Sequence, residues 1–264
     1  VTSLALIPPH EYALASINKD QTYLFLPQFL GDTDYKEYVK TARNTARWTI
    51  LDNGAFEGAT IDGLDLVSLA SYYSIDEVVV PDVLGDAEAT LRSLGTLIED
   101  LDPDEWHNRR YAVVVQGTSY DECCSFIDRV VMMKNTYALS GLKTFCIPKH
   151  LGKTTYGNEI TRSTIRLRLA NYIHSKHTDR FEVHFLGAMP NYIGELAHLQ
   201  TYNVRSVDTS MPYVYALAYE DLPKWKTPPD IERQEGYFDM VFDPHQKALA
   251  DANVAYLRHV INND

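Results

Sequence analysis

Short apolar runs recur along this chain, and several stop abruptly at a polar residue. Trp48-Thr49-Ile50-Leu51 runs into Asp52-Asn53-Gly54-Ala55-Phe56, and Val78-Val79-Val80 into Pro81-Asp82. Ala112-Val113-Val114-Val115 runs into Gln116-Gly117, and Val204-Arg205-Ser206-Val207 into Asp208-Thr209-Ser210. Apolar runs of this length, bounded by turn residues, read as buried parallel strands. Eight candidates stand out, at 4–7, 23–26, 48–51, 77–80, 111–115, 144–147, 182–186 and 204–207. Most intervals between them hold a helical pattern. Residues 64–73, 87–101, 120–133 and 163–174 have apolar positions at three- and four-residue spacing, and 191–199 carries Ile193, Leu196 and Leu199 on one side. Alternating strands and helices predict a parallel α/β fold. Eight strands in 264 residues favour one closed (β/α)8 barrel spanning 1–264. The interval 8–22 is short for a full crossover, so irregularity is expected at the N-terminal side. Beyond Asp208, residues 222–234 hold three prolines and read as an extended loop, and 248–260 reads as a closing helix.

Composition narrows the class. Hydrophobic residues make up 45% and charged residues 23%, as in an ordinary globule with a full core. No run approaches the roughly 18 apolar residues of a membrane span. No basic segment followed by an apolar one marks a signal peptide. The cysteines Cys123, Cys124 and Cys146 are odd in number and lack framework spacing, which points to reduced thiols in a cytoplasmic protein. The net charge of −12 argues against a protein that coats nucleic acid broadly, because phosphate contacts need a basic surface. A local basic groove remains open: Arg162, Arg166 and Arg168, with Lys143, Lys149 and Lys153, form the most basic stretch. The competing reading of that stretch is a solvated helix face and loop.

In a parallel barrel all strands end on one face, so polar strand-end residues meet in one pocket. Asp52 there is a proton donor or a substrate anchor, or else a helix cap. Asp82 is the better site candidate of its loop, since Asp86 precedes a helical segment and reads as a cap. Gln116 offers a donor and an acceptor, and an acid beside a glutamine can read a guanine-like edge. Asp208 is placed to attack a sugar carbon, with a second carboxylic acid protonating the leaving group. Phosphate-loop, dinucleotide and nucleophile-elbow motifs are missing. His174 and His177 lack partners for a metal and read as surface residues.

These motifs, in this order, resemble the tRNA-guanine transglycosylase superfamily. Asp52-Asn53-Gly54-Ala55-Phe56-Glu57 is similar to its D-S-G-G-F-Q, and Val115-Gln116-Gly117 to its V-Q-G. Phe185-Leu186-Gly187 is similar to its L-M-G, and Val207-Asp208-Thr209-Ser210-Met211-Pro212 to its F-D-C-V-L-P. The resemblance implies Asp208 as nucleophile on the sugar and Asp52 as general acid/base. It implies Asp82, Gln116, Phe56 and Gly187 around the base. Where the family has a glycine-leucine pair, this chain has Pro148-Lys149-His150, which implies a changed pocket reached by Lys149. The family's C-x-C-x-x-C zinc set is missing, so neither a bound metal nor a cofactor is expected. The compact relatives from phages and bacterial loci, which act on DNA, match best. The expected partners are then nucleic acid, DNA before tRNA, with a free modified base as possible second substrate and Arg166, Arg168 and Lys153 on the backbone; no membrane partner is expected. Three activities follow: exchange of guanine for a 7-deazaguanine in DNA, excision of a modified base from DNA, and a tRNA-directed exchange. A non-catalytic partner subunit is disfavoured by the retention of both Asp52 and Asp208.

Overall fold

The computed structural model describes residues 2–17, 22–149, 151, 159–177, 181–189, 193–225, 228–229, 231 and 233–262. Eight parallel strands pair in chain order and close, the eighth against the first. They are β1 (Ser3–Leu6), β2 (Thr22–Phe25), β3 (Trp48–Leu51), β4 (Glu77–Val79), β5 (Arg110–Val114), β6 (Leu142–Pro148), β7 (Glu182–Leu186) and β8 (Val204–Thr209). The expected (β/α)8 barrel is the fold observed. Each expected strand is present within a residue or two at its ends.

The outer layer starts with α1 (His10–Ala13), a single turn, so the first crossover is as abbreviated as its length implies. It continues with α2 (Thr33–Thr45), α3 (Gly63–Tyr73), α4 (Ala87–Asp100), α5 (Glu105–Asn108), α6 (Tyr120–Thr136), α7 (Glu159–Lys176), α8 (Gly194–Ala197), α9 (Met211–Leu217) and α10 (Pro244–Asn262). Local chemistry sets the helix starts. Asp32, Asp62, Asp86 and Ser119 each accept a hydrogen bond from a first-turn N–H, of Tyr35, Leu64, Ala89 and Glu122 respectively. The helix expected at 191–199 shrinks to the single turn of α8 among the described residues. Helix α2 has no counterpart in the apolar pattern: its buried stripe is Tyr35, Tyr38, Val39 and Ala42, weakly hydrophobic except for Val39. No helix among the described residues is long and apolar enough to cross a membrane.

Strand alternation gives the barrel two cores. One face of every strand packs against the helices. The other fills the barrel with Ala5, Ile7, Leu24, Leu26, Ile50, Val79, Ala112, Val114 and Cys146. Burying a Leu or Val side chain contributes roughly 1.5–3 kcal/mol, which makes this filling a major source of stability. The lower end of the barrel is polar instead. There Glu77, fully buried, holds Arg205 at 2.5 Å, and Glu182 holds Arg205 at 2.7 Å and Arg110 at 2.6 Å. The Thr144 hydroxyl donates to Glu77, and the Trp48 indole donates to it at 3.3 Å. This cluster closes the strand N-terminal end, and the opposite end is the mouth.

Candidate functional site

A cavity of about 550 Å3 opens at the C-terminal ends of the strands. Its floor is apolar, with Ile7, Leu24, Leu26 and Val114. Its walls carry the carboxylates of Asp52, Glu57, Asp82 and Asp208, and the cations Lys149, Arg162 and Arg233. The strand-end argument therefore brings together Asp52, Asp82 and Asp208 from β3, β4 and β8.

Asp208 is buried and held from two sides. The Gly187 N–H donates to its Oδ1 at 2.9 Å, and His184 Nε2 lies 3.2 Å from the same oxygen. Gly187 adopts φ +74°, and a Cβ there would lie 2.7 Å from the Lys149 Cδ. Glycine thus both aims its N–H at Asp208 and leaves room for the Lys149 stem. His184 is fully buried on β7, and its Nδ1 lies 2.7 Å from the Ser206 hydroxyl.

Asp52 follows β3, and its own N–H donates to the Phe25 carbonyl of β2. Burial, and then the neighbouring charges of Glu57, Asp208 and Asp82, push its carboxyl well above the usual aspartate range. Its proton is retained where an ordinary aspartate has lost it. It does not cap a helix; Asn53 takes the local turn instead, accepting from the Ala55 N–H at 2.9 Å. Gly54, at φ +71°, completes that turn, where a Cβ would meet the Ala59 Cβ at 2.7 Å.

Asp82 is clamped by two amides. The Asn53 side chain donates to Oδ1 at 2.7 Å, and the Gln116 side chain donates to Oδ2. Burial raises the Asp82 carboxyl, against the pull of these two donors. Gln116 is 3% exposed, and its own oxygen accepts from the Gly85 N–H at 2.8 Å. The amide expected to touch a base lies behind Asp82 and orients it. Phe56, by contrast, is 55% exposed at the rim, with Lys149 Nζ 5.8 Å from its ring centroid. Arg233 pairs with Glu57 at 2.8 Å and rests on Phe238.

Of the basic stretch 143–168, Lys149 and Arg162 reach the mouth cavity, and the other described cations do not. Arg166 is fully buried, paired with Glu195 at 2.9 Å, donating to the Ile147 carbonyl and stacked on Phe185. Its apolar neighbours on α7 turn it inward, so the phosphate contact expected of it is corrected. Arg168 lies on the outer face of α7, over the Tyr120 ring of α6. Lys143, near the start of β6, lines a cavity at the closed end. Lys153 lies outside the described residues. Among the described residues, no group of three or more His, Cys, Asp or Glu is placed to hold a metal ion.

The apolar and motif pattern does not single out His184, Asn53, Glu57 or Arg233, and it marks Arg162 only as part of the basic stretch. For His184 a signal exists: it lies two residues before Leu186 on the inward face of β7, and Ser206 lies two before Asp208 on β8.

No protein-family model matches the chain, and no curated protein matches it. Among solved structures, it resembles KGPDC from Streptococcus mutans, at 13% identity and TM-score 0.49 over 98% of this chain and 99% of that one. It also resembles a protein described as a fructose-1,6-biphosphate aldolase from Coccidioides immitis, at 10% identity and TM-score 0.54 over 99% and 90%. At such identities the likeness is one of fold. The expected membership of the tRNA-guanine transglycosylase superfamily is corrected by these findings: no family model or curated protein matches the chain, and the likeness above a TM-score of 0.5 is to a protein described as an aldolase, not a transglycosylase. The physical reason is that D-N-G-A-F, V-Q-G and L-G are short strand-to-loop sequences. Polar residues and turn glycines are common at the mouth of a parallel barrel, so such short segments carry the fold more than the family.

Proposed function

We propose that this barrel is an enzyme that breaks the N-glycosidic bond of a nucleoside unit in nucleic acid. The observation that carries the reading is the unequal pair of acids on one cavity, a proton-retaining Asp52 and an Asp208 held by N–H donors at one oxygen. Cleaving a base from a sugar needs both. The leaving nitrogen must be protonated, and the anomeric carbon must be met by a nucleophile or a negative charge. With Oδ1 of Asp208 occupied by donors, Oδ2 is the oxygen that attacks the sugar carbon. The bond to the base breaks, its electron pair stays on the ring nitrogen, and the Asp52 proton goes there. An incoming base or water then displaces Asp208 and returns a proton to Asp52.

Asp82 supports a guanine-type base. A carboxylate fixed by two amides keeps further lone pairs for the adjacent N1–H and N2–H donors of guanine. A cavity of this volume suits a base with its sugar. Lys149, Arg162 and Arg233 supply positive charge around it for a few phosphates. Exchange for a second base, such as a 7-deazaguanine, is the first outcome. Excision is the second, favoured by the Lys149 side chain, which takes up volume on the β6 side of the cavity.

The test is incubation with DNA and RNA oligonucleotides, with and without free guanine or 7-deazaguanine, read by nucleoside mass spectrometry and a denaturing gel. A covalent adduct that is absent in Asp208→Ala supports the reading. An incorporated new base marks exchange, and an abasic site marks excision. An adduct that needs borohydride to survive would transfer the nucleophile to Lys149. Absence of adduct, exchange and excision on every polymer would overturn the reading.

A further inference from the structure

Inside the barrel, a line of polar groups runs from the mouth toward the closed end. It starts at Asp208 Oδ1, 3.2 Å from His184 Nε2. It continues from His184 Nδ1 to the Ser206 hydroxyl at 2.7 Å, and from that hydroxyl to Arg205 Nε at 3.3 Å. Arg205 ends the line in its ion pair with buried Glu77 at the closed end of the barrel. His184, Ser206 and Glu77 are all fully buried. Buried polar groups of this kind add little to stability over apolar residues of the same size, so packing alone does not account for them.

Hydrogen positions along the line follow from what each group can do. A guanidinium only donates, so the Ser206 oxygen accepts from Arg205. A carboxylate only accepts, so His184 Nε2 carries a proton toward Asp208. The Ser206 hydroxyl proton then has one acceptor along the line, the bare Nδ1 of His184. Each donor meets an acceptor in this arrangement, and it also fixes the imidazole ring in place.

We propose that His184 is a positioning residue, fixed by Ser206 and Arg205, whose Nε2–H locks Asp208 Oδ1 and leaves Oδ2 facing the cavity. The proposal rests on the reading of Asp208 as the nucleophile. Gly187 supplies the second donor to the same oxygen, so the two lobes of the carboxylate differ in role before any substrate arrives. Letting a reacting group shift by about 1 Å commonly costs on the order of 100-fold in rate.

Two measurements test it. The first needs no substrate: long-range 15N spectra of histidine-labelled protein, assigned with His184→Gln. A His184 with protonated Nε2 and bare Nδ1 is expected, and a proton on Nδ1 alone overturns the arrangement. The second is kinetic, on the nucleic-acid oligonucleotide that gives an adduct with the wild type. His184→Leu is expected to lower kcat by up to about 100-fold with KM unchanged. His184→Gln, whose amide N–H reaches a similar point, is expected to recover most of that loss. If His184→Leu does not fold, Ser206→Ala replaces it, with kcat again expected to fall at constant KM. Wild-type kcat in His184→Leu or Ser206→Ala, or a loss that Gln does not recover, overturns the proposal. A wild type that forms no adduct overturns the glycosidic reading instead, and the 15N result still decides the hydrogen positions.

Discussion

Asp52→Asn separates the cost of the site from its use. In the folded protein, burial and then Glu57, Asp208 and Asp82 hold the Asp52 carboxyl well above its ordinary value of 3.8. A group whose folded value is raised contributes its full stability below the unfolded value, and loses it as pH rises through the folded value. Between those two points folding takes up one proton, and stability falls by about 1.4 kcal/mol per pH unit from this group alone. The amide that replaces the carboxyl does not titrate, so Asp52→Asn lacks that slope. Any hydrogen bond the amide gains or loses adds an offset independent of pH, and the slope of the difference is the quantity to read. Across a pH series from 4.5 upward the variant is expected to gain on the wild type with that slope for as long as the folded Asp52 keeps its proton. For a chain of this size each kcal/mol moves Tm by about 2–4 °C, so the gap between the two melting curves widens by about 3–6 °C per pH unit. The assay is thermal unfolding of both proteins across that range, with urea melts for the free energies. Activity moves the other way, because loss of a general acid lowers rates by about 10²–10⁴-fold. A gap that stays flat or narrows as pH rises would mean that Asp52 is ionised when folded, and its role as proton donor would fall.

Three further outcomes are expected. Glu77→Gln removes the buried carboxylate beneath Arg205 while Glu182 still pairs with Arg205 and Arg110, and it is expected to cost about 1–3 kcal/mol in urea melts. Burial raises Glu77, but Arg205, Thr144 and Arg110 outweigh it and hold the carboxyl below its ordinary 4.5; its contribution is complete above that pH and is lost as pH falls through the folded value, so acid melts of wild type and variant should converge. Gly187→Ala forces a side chain into φ +74° and onto Lys149; a stability loss of more than about 1 kcal/mol with slower adduct formation is expected, and unchanged kinetics would detach Gly187 from Asp208. Nucleic-acid binding should weaken in Arg233→Glu and persist in Arg168→Glu. With Lys149, Arg162 and Arg233 as the phosphate contacts, log K should fall against log salt with a slope no steeper than about −3, and a steeper one would place the backbone contacts elsewhere.

The barrel and its mouth are legible in the sequence because both follow from strand period and polarity. Apolar runs that end on Asp52, Asp82 and Asp208 fix where each strand stops, and parallel order puts those ends together. What lies behind the ends is not legible. Gln116 reads as a contact for a base, but its contact with Asp82 and Gly85 depends on loop geometry that no spacing encodes. Arg166 reads as a surface cation because charge on a helix is usually solvated. Its burial depends on Glu195 of α8, 29 residues away, arriving at the same point. Glu77 opens its strand and His184 sits mid-strand, where an isolated polar residue looks like an exception to the run and not part of a second layer.

That second layer explains why the mouth can hold so much negative charge. Four carboxylates share one cavity in a chain already at −12. Left alone, each would raise the others and all would lean toward the protonated form. The fold divides them instead. Glu57 is tied to Arg233, Asp82 to two amides, and Asp208 to a backbone N–H and His184. At Asp52 the Asn53 N–H favours the charged form, but burial and three acids oppose it and win. Asp52, whose carboxyl is held well above its ordinary value, is therefore the candidate proton donor of the four. Which acid donates and which attacks is decided by what stands behind each carboxylate, and the fold makes that assignment before any substrate enters.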